Sequence, residues 1–134
     1  MASIDLKTNI DERLALNNAA ITSDTTTVGN VIDTAGYESL TFIFQVGVVT
    51  DGTYTPYITE CDTTGGTYTA VDDDFLIGTE AAAALTVTNT SSRIGYVGKK
   101  QFVKCSFVST ATSSGVAAAS AIAILGSPRH APVA

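Results

Sequence analysis

Between Leu40 and Val46 the sequence LTFIFQV alternates without a break: Leu40, Phe42, Phe44 and Val46 fall on one side, Thr41, Ile43 and Gln45 on the other. A strand imposes this period of two, because successive side chains leave opposite faces of the pleat. The Leu40 face is therefore expected to be core. Similar short segments recur from Val28 to Leu125, at Val28–Ile32, Thr53–Cys61, Thr67–Val71, Leu85–Thr88, Arg93–Val97, Gln101–Val108 and Val116–Leu125. Turn-forming clusters separate them, and Glu80–Ala84 reads as a loop or a helical turn. Eight or nine short antiparallel strands spaced by turns predict an all-β chain, a β-sandwich or β-barrel.

Two local features refine this. Asp51-Gly52 matches a two-residue hairpin loop, so Leu40–Val46 and Thr53–Cys61 are expected to pair across it. Pro56 has no N–H for a ladder, which puts its strand at a sheet margin. Residues 1–27 show little strand pattern, with IDERLALN offering at most two turns of helix, and are expected to form an N-terminal arm. Residues 28–126 then form the β domain, and 127–134, with two prolines, an extended C-terminal tail. Ala117, Ala118, Ala119, Ala121 and Ala123 crowd the last strand although alanine is depleted in strands, which implies close approach by the opposing sheet or by a neighbouring subunit.

Composition supports the same class. Threonine is roughly one residue in six, as suits pleated, half-buried surfaces. Apolar residues make up 45% and charged residues 15%, a surplus that hints at surface buried against other chains. The net charge of −6 argues against nucleic acid. All 13 acidic residues precede position 93, with only Lys7 and Arg13 against them, a balance of −11; Arg93, Lys99, Lys100, Lys104 and Arg129 give the remainder +5. Either a folded sheet mixes these segments or the surface has opposite poles suited to contacts between copies. No basic, apolar leader opens the chain, and Val116–Leu125 is about half a bilayer span, so no membrane partner and synthesis in the cytoplasm are expected. Cys61 and Cys105 are accordingly expected to be free, packed thiols.

Reactive constellations are missing from the pattern. The lone histidine, His130, lies in the proline-flanked tail, where nothing rigid would pair it with a nucleophile. Cys61, Cys105 and one histidine do not make a zinc set. Asp72-Asp73-Asp74 lacks the spacing of a calcium loop and reads as a solvated turn. GYVGKK, residues 95–100, lacks the P-loop spacing and echoes a Gly-x-x-Gly RNA-binding loop without its helical surroundings; it reads as a tight hairpin with exposed lysines. No spacing selects a carboxylate pair and there is no tryptophan for a sugar platform. The expectation is a protein without catalysis, cofactor or metal.

The segments AGYESLTFIFQVG (35–47), TDGTYTPYITECD (50–62), TYTAVDDDFLIG (67–78), RIGYVGKKQFVKC (93–105) and GSPRHAPVA (126–134) together resemble a family of small virion proteins of tailed bacteriophages, the head decoration or cement proteins. Tyr68 stands where that family often carries tryptophan. The resemblance implies a non-enzymatic β module on the capsid surface, bridging subunits of the major capsid protein and contacting copies of itself, often as a trimer. Exposure logic adds candidate intersubunit contacts: Ile4, Leu6, Ile10, Leu14 and Leu16 in the arm, Arg93, Lys99 and Lys100 on one edge, and Arg129, His130 and Val133 in the tail. Two other roles remain open: a head-completion or tail-associated virion subunit, or a carbohydrate- or host-surface-binding module with Tyr54, Tyr57 and Tyr68 as an aromatic platform.

Overall fold

A computed structural model describes residues 5–129. The chain is all-β: two antiparallel sheets packed face to face. Its strands are β1 (Ile10–Ile21), β2 (Thr26–Val28), β3 (Ile32–Asp33), β4 (Tyr37–Val46), β5 (Thr53–Cys61), β6 (Thr69–Ala70), β7 (Leu76–Ile77), β8 (Thr90–Tyr96), β9 (Phe102–Thr110) and β10 (Val116–Pro128). One sheet has the order β1-β10-β4-β8-β7; the other runs β2-β9-β5-β6, with β3 also on β9. With β3 and β7 set aside, eight strands remain in two four-stranded sheets, β1-β10-β4-β8 and β2-β9-β5-β6, the arrangement of a jelly roll.

Topology corrects the hairpin expectations. β4 and β5 do not pair: they lie in different sheets, and Asp51-Gly52 turns a corner between them. Gly52 has φ +94°, but Asp51 is not left-handed, so the tight turn that needs positive φ at both central residues does not form. Instead the Asp51 carboxylate accepts the backbone N–H groups of Gly115, Ser113 and Ser114 at 2.8–3.1 Å. That pins this corner to the β9–β10 corner and holds the Asp51 carboxyl below the usual carboxylate range. GYVGKK is likewise a crossing from β8 to β9, not a hairpin. Leu85–Thr88 contributes one bridge, Leu85 to Tyr54, and Val28–Ile32 divides between β2 and β3.

The arm expectation is also overturned, since Ile10–Ile21 is a strand pairing with β10 from Ile10↔Gly126 to Ile21↔Val116. Its alternation is hidden by register shifts between Leu14 and Leu16, Leu16 and Ala19, and Ala19 and Ile21. The first of these places Ala15 and Leu16 both in the core. At the other end β10 continues to Pro128, opposite Tyr37, so strand pairing enters the expected tail.

Side-chain size explains the alanines. On the inward face of β10, Ala121 lies beside Phe44 and Ala123 beside Phe42, so each small residue makes room for a ring. Phe44 then meets Phe107 of the other sheet edge-on, with centroids 5.4 Å apart. Leu40, Ile94 and Leu125 complete one side of the core; Tyr54, Ile58, Val103 and Cys105 complete the other. Pro56 behaves as its chemistry requires. Tyr54 N–H bonds to Leu85 outside the ladder and Ile58 N–H donates to Glu80 Oε1 at 2.6 Å, so the alternate position between them is one where a missing N–H costs nothing.

Candidate contact surface

Cross-strand partners point to the same side of a sheet, so the register of the β1-β10-β4-β8-β7 sheet defines its outer face row by row. One row reads Leu14–Ile122–Ile43–Arg93, the next Glu12–Ile124–Thr41–Gly95–Ile77. Flanking them are Ile10–Gly126–Ser39 and Ser120–Gln45–Ser91. Leu14, Ile43 and Ile77 are 52%, 37% and 65% exposed, and Ile10, Ile122 and Ile124 are half-buried. Glu12 and Arg93, both exposed, carry the charges of these four rows, and they stand toward opposite margins.

The outer face of the other sheet is different in kind. There Thr53, Thr55 and Thr59 of β5 lie beside Thr110, Val108 and Lys104 of β9, and in the row between the last two pairs Tyr57 and Val28, both exposed, flank Ser106, so apolar side chains are scattered among threonines. Tyr68 lies under the Lys104 ammonium, 4.0 Å from ring centroid to Nζ. The larger run of adjoining aliphatic residues therefore lies on the first sheet, and apolar residues gathered on an exposed face mark contact sites.

Its margins are finished with polar groups. Asp11 and Arg13 of β1 form an ion pair at 3.0 Å on the inward side of that edge strand, and Arg13 donates to the Asp33 carbonyl. Asn30 donates to the Ala15 and Leu14 carbonyls, covering part of the open edge. Irregular register and inward charge discourage addition of a further strand at β1. The open edge of β1 is thereby blunted.

At one end of the sandwich Tyr96 donates to Glu60 Oε2 at 2.5 Å, linking the two sheets, and accepts the Lys100 N–H. Burial, reinforced by Glu60, pushes the Tyr96 phenol far above its ordinary value, so it stays protonated and structural. Lys100 pairs with Asp62 at 2.7 Å and Arg129 with Glu38 at 2.7 Å. These pairs join the basic C-terminal part to the acidic N-terminal part, so the sequence's charge division is mixed by folding.

The sequence candidates divide accordingly. Ile10, Leu14 and Arg93 share the aliphatic face. Leu16 is 1% exposed and is a core residue, not a contact. Leu6 is exposed ahead of the short 3-10 turn Lys7–Asn9, in none of the paired rows, and Lys99 is exposed at the β8–β9 corner. Ile4, His130 and Val133 lie outside the described residues. Ile43, Ile77, Ile122 and Ile124 escaped the reading of the sequence, although apolar residues at both parities of β4 and β10 were the available signal. Tyr54 is fully buried and donates to the Asp51 carbonyl at 2.8 Å, so the three tyrosines do not form an exposed platform.

Among the described residues no group of three or more His, Cys, Asp or Glu side chains is placed to hold a metal ion. Asp72 instead caps the turn Asp73–Phe75, its Oδ1 accepting Asp74 N–H at 3.1 Å. Cys61 and Cys105 are separate, buried thiols.

No protein-family model matches the chain, and no curated protein matches it in sequence. Among solved structures it is similar to the SPBc2 prophage-derived protein YomS, with 16% identity and a TM-score of 0.48 over 89% of this chain and 94% of that one. It is also similar to part of the structure of infectious bursal disease virus Gx strain, with 15% identity and a TM-score of 0.42 over 93% of this chain and 36% of that one.

Proposed function

We propose that the chain is a non-enzymatic structural protein of a tailed-bacteriophage virion, which decorates or cements the capsid by bridging its subunits. The observation that carries this reading is the aliphatic, nearly uncharged outer face of one sheet, a surface built for adhesion over area and poor in groups that could act on a substrate. The sequence resemblance supplies the virion context. A jelly roll alone does not, since that architecture serves capsids, lectins and enzymes alike. Many copies on a repeating lattice multiply a shallow contact through effective concentration, so modest affinity per copy is sufficient.

The test is occupancy. Purified capsids lacking the protein are mixed with it, and bound copies are counted by quantitative gel and cryo-electron microscopy. Ordered density on the capsid surface is expected, and Ile43→Glu with Ile122→Glu should reduce it at least tenfold. Capsids that never take up the wild-type protein at any salt concentration overturn the decoration role, and a head-completion or tail-associated role then comes first.

A further inference from the structure

We infer that the outer face of the β1-β10-β4-β8-β7 sheet is covered by a second copy of this chain, packed face to face about a two-fold axis parallel to the strands. The inference rests on the proposed function only in treating this face as the contact surface. With this face joining two copies, each copy meets the capsid elsewhere, and Ile43→Glu with Ile122→Glu lowers capsid occupancy by unlinking the paired contacts.

Self-complementarity favours a second copy over a different partner. The acid and the base of these rows stand on opposite sides of an aliphatic centre: Glu12 on β1, Arg93 on β8, with β10 and β4 between. A two-fold axis running between β10 and β4 lays β1 of one copy across β8 of the other, and β10 across β4. Ile122 then meets Ile43 of the second copy, and Leu14 packs along the Arg93 stem. Glu12 falls one residue pair, ~7 Å, along the strand from Arg93 of the second copy, within reach of two long side chains. Symmetry makes each contact twice. An unrelated partner would place no such constraint on where the two charges sit.

Size is consistent with a reversible dimer. About that axis β1, β10, β4 and β8 overlap; four strands at ~4.8 Å and four rows at ~6.8 Å give roughly 500 Å², so two copies bury roughly 1,000 Å² together, the size of a weak, transient interface. Shallow aliphatic contacts without a deeply seated anchor point to dissociation in the micromolar range. On the other sheet Val28, Tyr57 and Val108 lie apart among threonines, without the adjoining isoleucines of this face.

Sedimentation velocity of the purified protein from 1 to 200 µM tests this. A concentration-dependent species of twice the 13.8 kDa chain mass is expected. Ile43→Glu should abolish it. Glu12→Arg or Arg93→Glu alone should weaken it about tenfold, because each sets like charges against one another twice. The two changes together should restore it to within about threefold, a rescue that a merely structural role for either residue would not produce. All three positions are exposed, so circular dichroism and urea midpoints should match the wild type. A monomer throughout the range, a dimer indifferent to Ile43→Glu, or no rescue in the double variant each overturns the pairing. A monomer that still decorates capsids refutes the pairing and spares the proposed function; a dimer that never binds capsids does the reverse.

Discussion

Gly29 offers a sharp test of how the two sheets are joined along one side. It lies between β2 and β3, squeezed between backbones of both layers: its N–H donates to the Cys105 carbonyl of β9 at 2.9 Å, and the next N–H, Asn30, donates to the Ala15 carbonyl of β1 at 2.7 Å. A methyl group at this position would overlap the Ala15 carbonyl oxygen and stand 2.6 Å from that of Cys105. Both obstacles are main-chain atoms in paired strands, so neither can swing aside as a side chain would. Gly29→Ala must therefore part the layers locally. Overpacking of this kind costs ~1–3 kcal/mol. Weakening two backbone hydrogen bonds adds about 1 kcal/mol each. The expected loss is about 3–5 kcal/mol, a large share of the ~5–15 kcal/mol available to a domain. Gly36→Ala is the control: Gly36 has φ +89° but open space around it, so only the left-handed penalty of about 1–2 kcal/mol applies. Equilibrium urea unfolding reports both, as a fall in midpoint at unchanged slope. A Gly29→Ala protein within 1 kcal/mol of wild type, or no worse than Gly36→Ala, refutes the account of how the layers meet.

Two further outcomes follow from buried titratable groups. Burial raises the Glu80 carboxyl above its ordinary value against the opposing pull of the Ile58 N–H, so the folded state holds its proton more tightly than the unfolded chain does. That stabilisation is complete below the ordinary carboxylate range and fades as pH rises through the raised folded value. Glu80→Gln should then gain stability relative to wild type as pH rises through the raised folded value, while Glu80→Ala, leaving Ile58 N–H unpaired, loses about 1–3 kcal/mol; parallel pH profiles for wild type and Gln would contradict this. Burial also pushes the Cys105 thiol up to about 12, so it should resist thiol reagents at pH 8 in the native protein, and two thiols should titrate once the chain is unfolded; rapid native labelling of Cys105, or fewer than two thiols in denaturant, would contradict the packing.

Strand identity was legible in the sequence wherever burial is one-sided. Leu40, Phe42, Phe44 and Val46 alternate because one face meets the core, and that face is buried as expected. Pro56 announced a gap in the ladder by the N–H it lacks, and Ile58 N–H donates to a glutamate there, but the strand is not the sheet margin: β6 and Leu85 pair with β5 on either side of the gap. Which strands pair was not legible. Asp51-Gly52 and GYVGKK carry turn chemistry, yet a turn that crosses between sheets uses the same residues as one that closes a hairpin. The difference lies in partners far away in sequence, such as Ser113, Ser114 and Gly115 for Asp51. β1 was hidden for a related reason: each register shift resets the alternation, so a strand held by β10 looks irregular by itself. The aliphatic face belongs mostly to this second kind of knowledge, since the sequence named Ile10, Leu14 and Arg93 but not the surface they share. Ile43, Ile77, Ile122 and Ile124 are unremarkable at four separate places in the chain, and only pairing β7, β8, β4 and β10 side by side turns them into one surface. Local alternation records which side of a strand is dry, whereas the neighbours on the wet side are set by non-local hydrogen bonding that no short window of sequence contains.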